Sequence, residues 1–334
     1  MADPPPRDCN YAEFFEGGGG SRRAFRGRMS LARQVIAGTT YLLTRRVTQR
    51  QFLLRPSPLT AQIVLYALAY AASRTGVLVH AVVVMSNHIH LVVTDPDRRL
   101  PEFLQKLHRH IASCMNALLI RRENFWSSTG PNVVTLEGDD DVLDKIAYVI
   151  ANPTAAGLVD TPADWPGLIA PAEGMFVVAE RPPVYYSSKG KMPESIGLQI
   201  APPSASSFEN IDALLAALRD LIDENVRVAK EDVAASGRNF IGRAAVLATS
   251  VWDHATTPES RGARRPLFAA RRREDRKRVL ERLRAFQRQY ANALNAWRRG
   301  DRAVVFPLGT WMMRVVHAVR VEQSTLSLES LPAA

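Results

Sequence analysis

Only two cysteines occur among the 334 residues, Cys9 and Cys114, far apart and without a Cys-x-x-Cys partner. Neither a disulfide framework nor a cysteine zinc site is supported, and a reducing cytoplasm is the expected compartment. No apolar run reaches the roughly 18 uncharged residues needed to span a bilayer. The opening MADPPPRDCNYAEFFEGGGGSRR also lacks the apolar centre of a secretory signal. A soluble, unexported protein with no membrane partner is the expectation. No repeat of solenoid length is visible, and low complexity is confined to the N-terminal arm.

What the chain has in excess is positive charge. With 43 Lys and Arg against 33 Asp and Glu, the formal net charge is +10. Such a balance favours a polyanionic partner, because Lys and Arg that neutralise phosphates release condensed counterions whatever the base sequence. A generic basic surface fits the same number. The 46% hydrophobic share suffices for a sizeable core, and the length suggests a catalytic domain plus an appended one.

Residues 1–37 combine Pro4-Pro5-Pro6, the run Gly17 to Gly20 and five arginines from Arg22 to Arg33, which suits a flexible basic arm. From Thr39, TTYLLT reads as a strand ending at Arg45 and Arg46, and a helix is expected from about Pro58 to Ser73. VLVHAVVVM and HIHLVVT are β-branched runs split by Ser86-Asn87, the pattern of a hairpin. Leu100, Leu104, Leu107, Ile111, Met115 and Leu118 then mark a long amphipathic helix. NVVTLE offers a short strand. Asp139 to Asp141 precede VLDKIAYVIAN, a last helix expected to stop near Asn152-Pro153. The order β-α-β-β-α-β-α is the α+β, ferredoxin-like pattern plus one helix. Its expected extent is 38–181. Prolines and serines over 182–206 suggest a linker, and 207–334 reads as a basic, mainly helical extension. Within it, Arg271, Arg272, Arg273, Arg276 and Lys277 open an amphipathic helix and are candidates, with Arg45 and Arg46, for phosphate contact. A solvated helix face would look the same.

The sharpest local feature is His88-Ile89-His90. Alternate residues of a strand share a face, so both imidazoles project together while Ile89, Leu91 and Val93 enter the core on the other side. Two such imidazoles form a platform for a divalent cation with positions left open for substrate oxygens. Two unconnected surface histidines would give the same spacing. His108-Arg109-His110 repeats it on a helix, where residues two apart diverge and cannot share an ion; these are expected on the polar face. Tyr148 and Asn152 lie four apart on the last helix and therefore stack on one side. A phenol with a pKa of about 10 is a weak nucleophile unless its phosphate target is already polarised by a cation. An aromatic at the core edge beside Ile146 and Ile150 is the plainer reading of Tyr148.

The segments AVVVMSNHIHLVV and AYVIANPTAAGLVDTPADWP resemble, within a match over roughly residues 38–170, the HUH single-tyrosine insertion-sequence transposases. The second is similar to their REP-associated tyrosine transposase branch. The resemblance implies an HUH nuclease fold in which His88 and His90 hold the metal, Mg2+ or Mn2+, and Tyr148 is the nucleophile. Asn152 would complete the metal site. It further implies cleavage of single-stranded DNA, often beside palindromic hairpins, through a 5′-phosphotyrosine intermediate that releases a 3′-hydroxyl, and it leaves room for a homodimer in a bacterial, nucleoid-associated setting. Ser86 stands where the family usually has proline, Trp126-Ser127 where it has Trp-Gln, and Gly167-Leu168 where two serines often follow Trp-Pro. None of these removes a catalytic group. The competing reading is a catalytically silent regulator that holds hairpin DNA on the same fold.

Overall fold

Alternation of apolar residues places β1 (Thr39–Arg46) at the middle of a mixed sheet, with Tyr41 and Leu43 buried on one side and Leu42 on the other. The structure is a computed structural model, and it describes residues 32–170, 173–186, 190–204, 207–256 and 266–323. After β1 the chain forms α1 (Pro58–Thr75), β2 (Leu78–Met85), β3 (His88–Asp95), α2 (Leu100–Leu118), β4 (Asn132–Leu136) and α3 (Asp139–Ala155). Local signals fix several boundaries. The Ser57 hydroxyl accepts the Thr60 amide at 3.0 Å, with Pro58 in the first turn of α1. The Asp95 carboxylate takes the amides of Arg99 and Leu100 at 2.8 and 2.7 Å, opening α2.

These strands pair antiparallel in the order β4-β1-β3-β2, the ferredoxin-like arrangement expected from the element order. One face of the sheet carries Ile89, Leu91 and Val93 into a core with Phe103, Leu107 and Ile111 of α2 and the apolar side of α1. The opposite face carries Leu42, Val92 and Val134 beneath Ile146, Val149 and Ile150 of α3. The two histidines of β3 sit on this second side, as strand alternation requires.

Four features differ from the sequence reading. First, α3 runs two residues past the expected end near Asn152-Pro153, to Ala155. A proline one turn from a helix end removes a single backbone bond, and Pro153 is buried there among Ala151, Asn152 and Thr154. Second, the segment 182–206, expected as a linker, contains β7 (Ser195–Ile200). It follows β5 (Ile169–Ala170) and β6 (Met175–Glu180), pairing with β6 and, at Ile200, with β2. Leu198 and Ile200 are buried in the first core, an alternation that the neighbouring prolines and serines mask. Third, the C-terminal segment shares the core of the sheet. Leu214 and Leu218 of α4 (Ile211–Ala235) lie against α3, and after α5 (Arg243–Ala248) the short β8 (Phe268–Ala269) pairs parallel with β4. Fourth, part of the expected arm is ordered against the body. The Val35 amide donates to the Gly309 carbonyl at 3.0 Å, and Gly309 permits the approach because a Cβ there would lie 2.6 Å from Gln34. Residues 1–31 of that arm lie outside the described residues.

The remaining elements are α6 (Arg273–Arg298), β9 (Val305–Phe306), α7 (Met312–His317) and β10 (Arg320–Val321), gathered around Ala293, Phe306 and Met313. No described helix is long and apolar enough to cross a membrane. Because α4 and β8 belong to the main core, removing 207–334 is expected to bare the α3 face. Loss of two buried leucines alone costs about 1.5–3 kcal/mol each. Thermal unfolding of the truncated chain should lose its cooperative transition or shift to a much lower midpoint. An unchanged midpoint would show the extension to be separable.

Candidate active site

β3 presents His88 and His90 on the α3 side with their ring centroids 4.6 Å apart and the planes nearly perpendicular. Each ring is held through Nδ1. For His90 the partner is the Thr44 hydroxyl at 2.8 Å, directly across the β1–β3 register. For His88 it is Asn87 Oδ1 at 2.6 Å. An amide oxygen only accepts, so His88 donates from Nδ1. Outer hydrogen bonds of this kind orient imidazoles that bind metals.

α3 brings Tyr148 over this pair, its ring centroid 5.6 Å from that of His90. Tyr148 remains 41% exposed, so the phenol meets both the histidine ring and solvent. One turn on, the buried Asn152 lies beside His88 and opposes part of the lowering of its pKa. The four residues singled out in the sequence, His88, His90, Tyr148 and Asn152, thus converge on one place.

Burial holds both imidazoles neutral. It is the main reason that His88 is lowered to about 4, with the Arg46 charge adding to the shift and the Asn152 hydrogen bond opposing it. His90 is lowered well below its ordinary value, first by burial and then by His88. Neutral rings with lone pairs available are what a cation requires. Among the described residues no group of three or more His, Cys, Asp or Glu could hold a metal ion. The side chains here that could hold a cation are the two imidazoles and the Asn152 amide, a set that leaves several positions open to oxygen ligands.

The candidate basic residues divide. Arg46 is exposed on the site face and pairs in register with His88. Arg45 points to the other side, where its guanidinium donates to the Thr129 carbonyl at 2.9 Å and lies 5.6 Å from the Trp126 ring. Arg271 and Arg272 bind the start of α3, with Arg271 3.7 Å from Asp144 and Arg272 3.4 Å from Asp140. Asp144 is one turn before Tyr148, so these contacts tie the extension to α3, while both arginines stay exposed. Arg276 donates to the Ala270 carbonyl at 3.3 Å, and Arg273 and Lys277 are exposed on α6. Sequence reasoning missed Thr44, Asn87 and Lys145. The Lys145 ammonium lies 5.8 Å from the Tyr148 ring centroid and 2.8 Å from Asp144. Its position three residues before Tyr148 was the available signal.

His108 and His110 do not share a ligand site and do not form an open polar face. The His108 ring packs on Trp126 at 5.3 Å, while His110 packs on Tyr70 at 4.8 Å and hydrogen-bonds the Tyr186 hydroxyl at 2.9 Å. Burial lowers them to about 3 and about 4 respectively, with Arg45 adding to the first and Arg109 and Lys106 to the second. Between pH 6.5 and these values the unfolded chain binds protons that the folded chain refuses. Stability should therefore fall steadily as pH drops through that window, visible as a falling denaturant midpoint. Replacing His108 by Gln should flatten the slope, and an unchanged slope would refute the assignment.

No family model matches the chain, and no curated protein sequence matches it. Among solved structures the chain is similar to a REP-associated tyrosine transposase bound to a REP hairpin. The match has 20% identity and a TM-score of 0.35, covering 42% of this chain and 81% of that one. It is also similar to a protein from Deinococcus radiodurans R1 described as a "putative transposase", at 21% identity and a TM-score of 0.25. That match covers 32% of this chain and 85% of the other.

Proposed function

We propose that the protein is a transposase-like endonuclease and strand transferase acting on single-stranded DNA, including strands beside palindromic hairpins, with Tyr148 as nucleophile. The observation that carries this is the placement of the Tyr148 phenol 5.6 Å, ring to ring, from a strand-borne imidazole that is paired with a second one. The motifs that resemble HUH transposases fall on these same residues.

In this reading the Tyr148 oxygen forms a bond to the scissile phosphorus and the bond from phosphorus to O3′ breaks. The phenolic proton passes to solvent, and O3′ takes up a proton to leave as a hydroxyl. A 5′-phosphotyrosine results, and attack by a 3′-hydroxyl reverses the step without a nucleotide cofactor because the phosphodiester's free energy is retained. A Mg2+ or Mn2+ ion held by His88, His90 and Asn152 would polarise the phosphate and offset its growing negative charge. Thr44 and Asn87 keep the two imidazoles oriented. Arg46, and Lys145 beside the phenol, supply positive charge at the rim of the site.

The test uses the full-length protein with a library of single-stranded oligonucleotides carrying imperfect hairpins, labelled at either end. With Mn2+ or Mg2+, strands labelled at the 3′ end should acquire a protein-linked species that survives denaturing electrophoresis. Strands labelled at the 5′ end should shorten, and EDTA should stop both reactions. DNA binding with no covalent species under either metal would overturn the enzyme reading in favour of the silent regulator.

A further inference from the structure

We propose that Trp252, with Arg121 beside it, is a stacking subsite for one unpaired nucleobase of the strand held at the candidate active site. This goes beyond the proposed cleavage chemistry and rests on it for the identity of the strand. Trp252 is 52% exposed, and the Arg121 guanidinium carbon lies 5.6 Å from its ring centroid. A single exposed aromatic on a protein surface is ordinary. Three further observations set this one apart.

The first is rigidity. Trp252 sits in a turn closed by the Ser250 amide on the Asp253 carboxylate at 2.8 Å and by its own amide on the Ser250 hydroxyl at 3.2 Å. Arg121 is anchored in turn, its Nη1 donating to Gln51 Oε1 at 3.2 Å. A backbone turn and a guanidinium fixed in advance lose little freedom when a base arrives.

The second is a strained support. Gln49 and Arg50, next to Gln51, both adopt left-handed backbone conformations, with φ of 49° and 58°. Consecutive non-glycine residues rarely do so, and the Gln51 amide closes the turn on the Thr48 carbonyl at 3.1 Å. The Phe52 amide donates to the Asp253 carbonyl at 2.7 Å, which fastens this turn to the one that carries Trp252. Strain of this kind persists where surrounding structure over-determines it, often at binding sites.

The third is continuity with the site. The Asn87 side-chain amide donates to the Arg50 carbonyl at 3.4 Å while its oxygen holds His88 at 2.6 Å. One residue thus joins the imidazole pair to the turn that is fastened to the Trp252 turn. The cationic neighbours suit a polyanionic strand, and an unpaired base offers the π-face that an indole stacks upon. A duplex keeps its base faces covered.

The experiment measures binding in EDTA, so that it does not depend on cleavage, using an oligonucleotide scanned with single abasic sites. Trp252→Ala should weaken single-strand affinity roughly ten-fold, as loss of one stacked base does, and leave affinity for a blunt duplex unchanged. Trp252→Phe should retain most of the affinity. At one abasic position the wild-type chain should lose affinity while Trp252→Ala loses no more. Affinity of Trp252→Ala equal to wild type, or abasic losses that add in full at every position, would overturn the subsite. Failure of the cleavage reading appears separately, as absence of the Tyr148 adduct when Mn2+ is restored, and leaves the binding result readable.

Discussion

Tyr148→Phe is expected to abolish the covalent protein–DNA species while leaving single-strand affinity within about two-fold of wild type. The substitution removes only the phenolic oxygen, which is the atom that must bond to phosphorus. The ring is retained, and with it the packing against His90 and the position on α3. Because the side chain is 41% exposed, the change in stability should stay within roughly 0.5 kcal/mol. Loss of the adduct could then not be ascribed to unfolding. Cleavage should fall to background because no other hydroxyl on that helix face takes the place of the phenol. An adduct of undiminished yield in this variant would reject the assignment of Tyr148.

The second large effect belongs to the histidines. If the two imidazoles hold the metal as proposed, His88→Ala and His90→Ala should each lower metal-supported cleavage by more than about 100-fold, since loss of an outer partner alone costs roughly 10–100-fold. The two variants should differ in stability. His90 is buried at 6% exposure and bonded to the half-buried Thr44 hydroxyl, so its removal costs about 1 kcal/mol or more through the lost packing and hydrogen bond. His88 is more open, and His88→Ala should fold nearly as well as the wild type. Raising Mn2+ should recover part of the His88→Ala activity, as expected when affinity and not chemistry is lost. Full activity of both variants at low Mn2+ would place the metal elsewhere.

How much could be read in the chain depends on the range over which each signal acts. The His-x-His pair, the Tyr148–Asn152 stack and the element order are local patterns with a period of two or of 3.6, and the structure follows them. Thr44 was out of reach because its role depends on the β1–β3 register, a pairing across 46 positions that no local periodicity encodes. β7 was hidden by flanking prolines and serines, although Leu198 and Ile200 alternate as a strand should. The arginines at the start of α6 read as a phosphate patch. In the fold Arg271 and Arg272 are drawn to Asp144 and Asp140, because the acidic residues that favour the α3 N-terminus also attract the basic residues that favour nucleic acid. His108 and His110 were legible as unable to chelate together, but the aromatic residues that bury them come from distant segments.

Mass-spectrometric mapping of the DNA-linked peptide reaches the core of the account most directly. After cleavage of a single-stranded substrate in Mn2+ and digestion with nuclease and trypsin, a nucleotide should be found esterified to the Tyr148 phenol in the peptide that spans residues 146–189, since trypsin does not cut before Pro182. A modification on any other side chain, or its persistence in Tyr148→Phe, would contradict it.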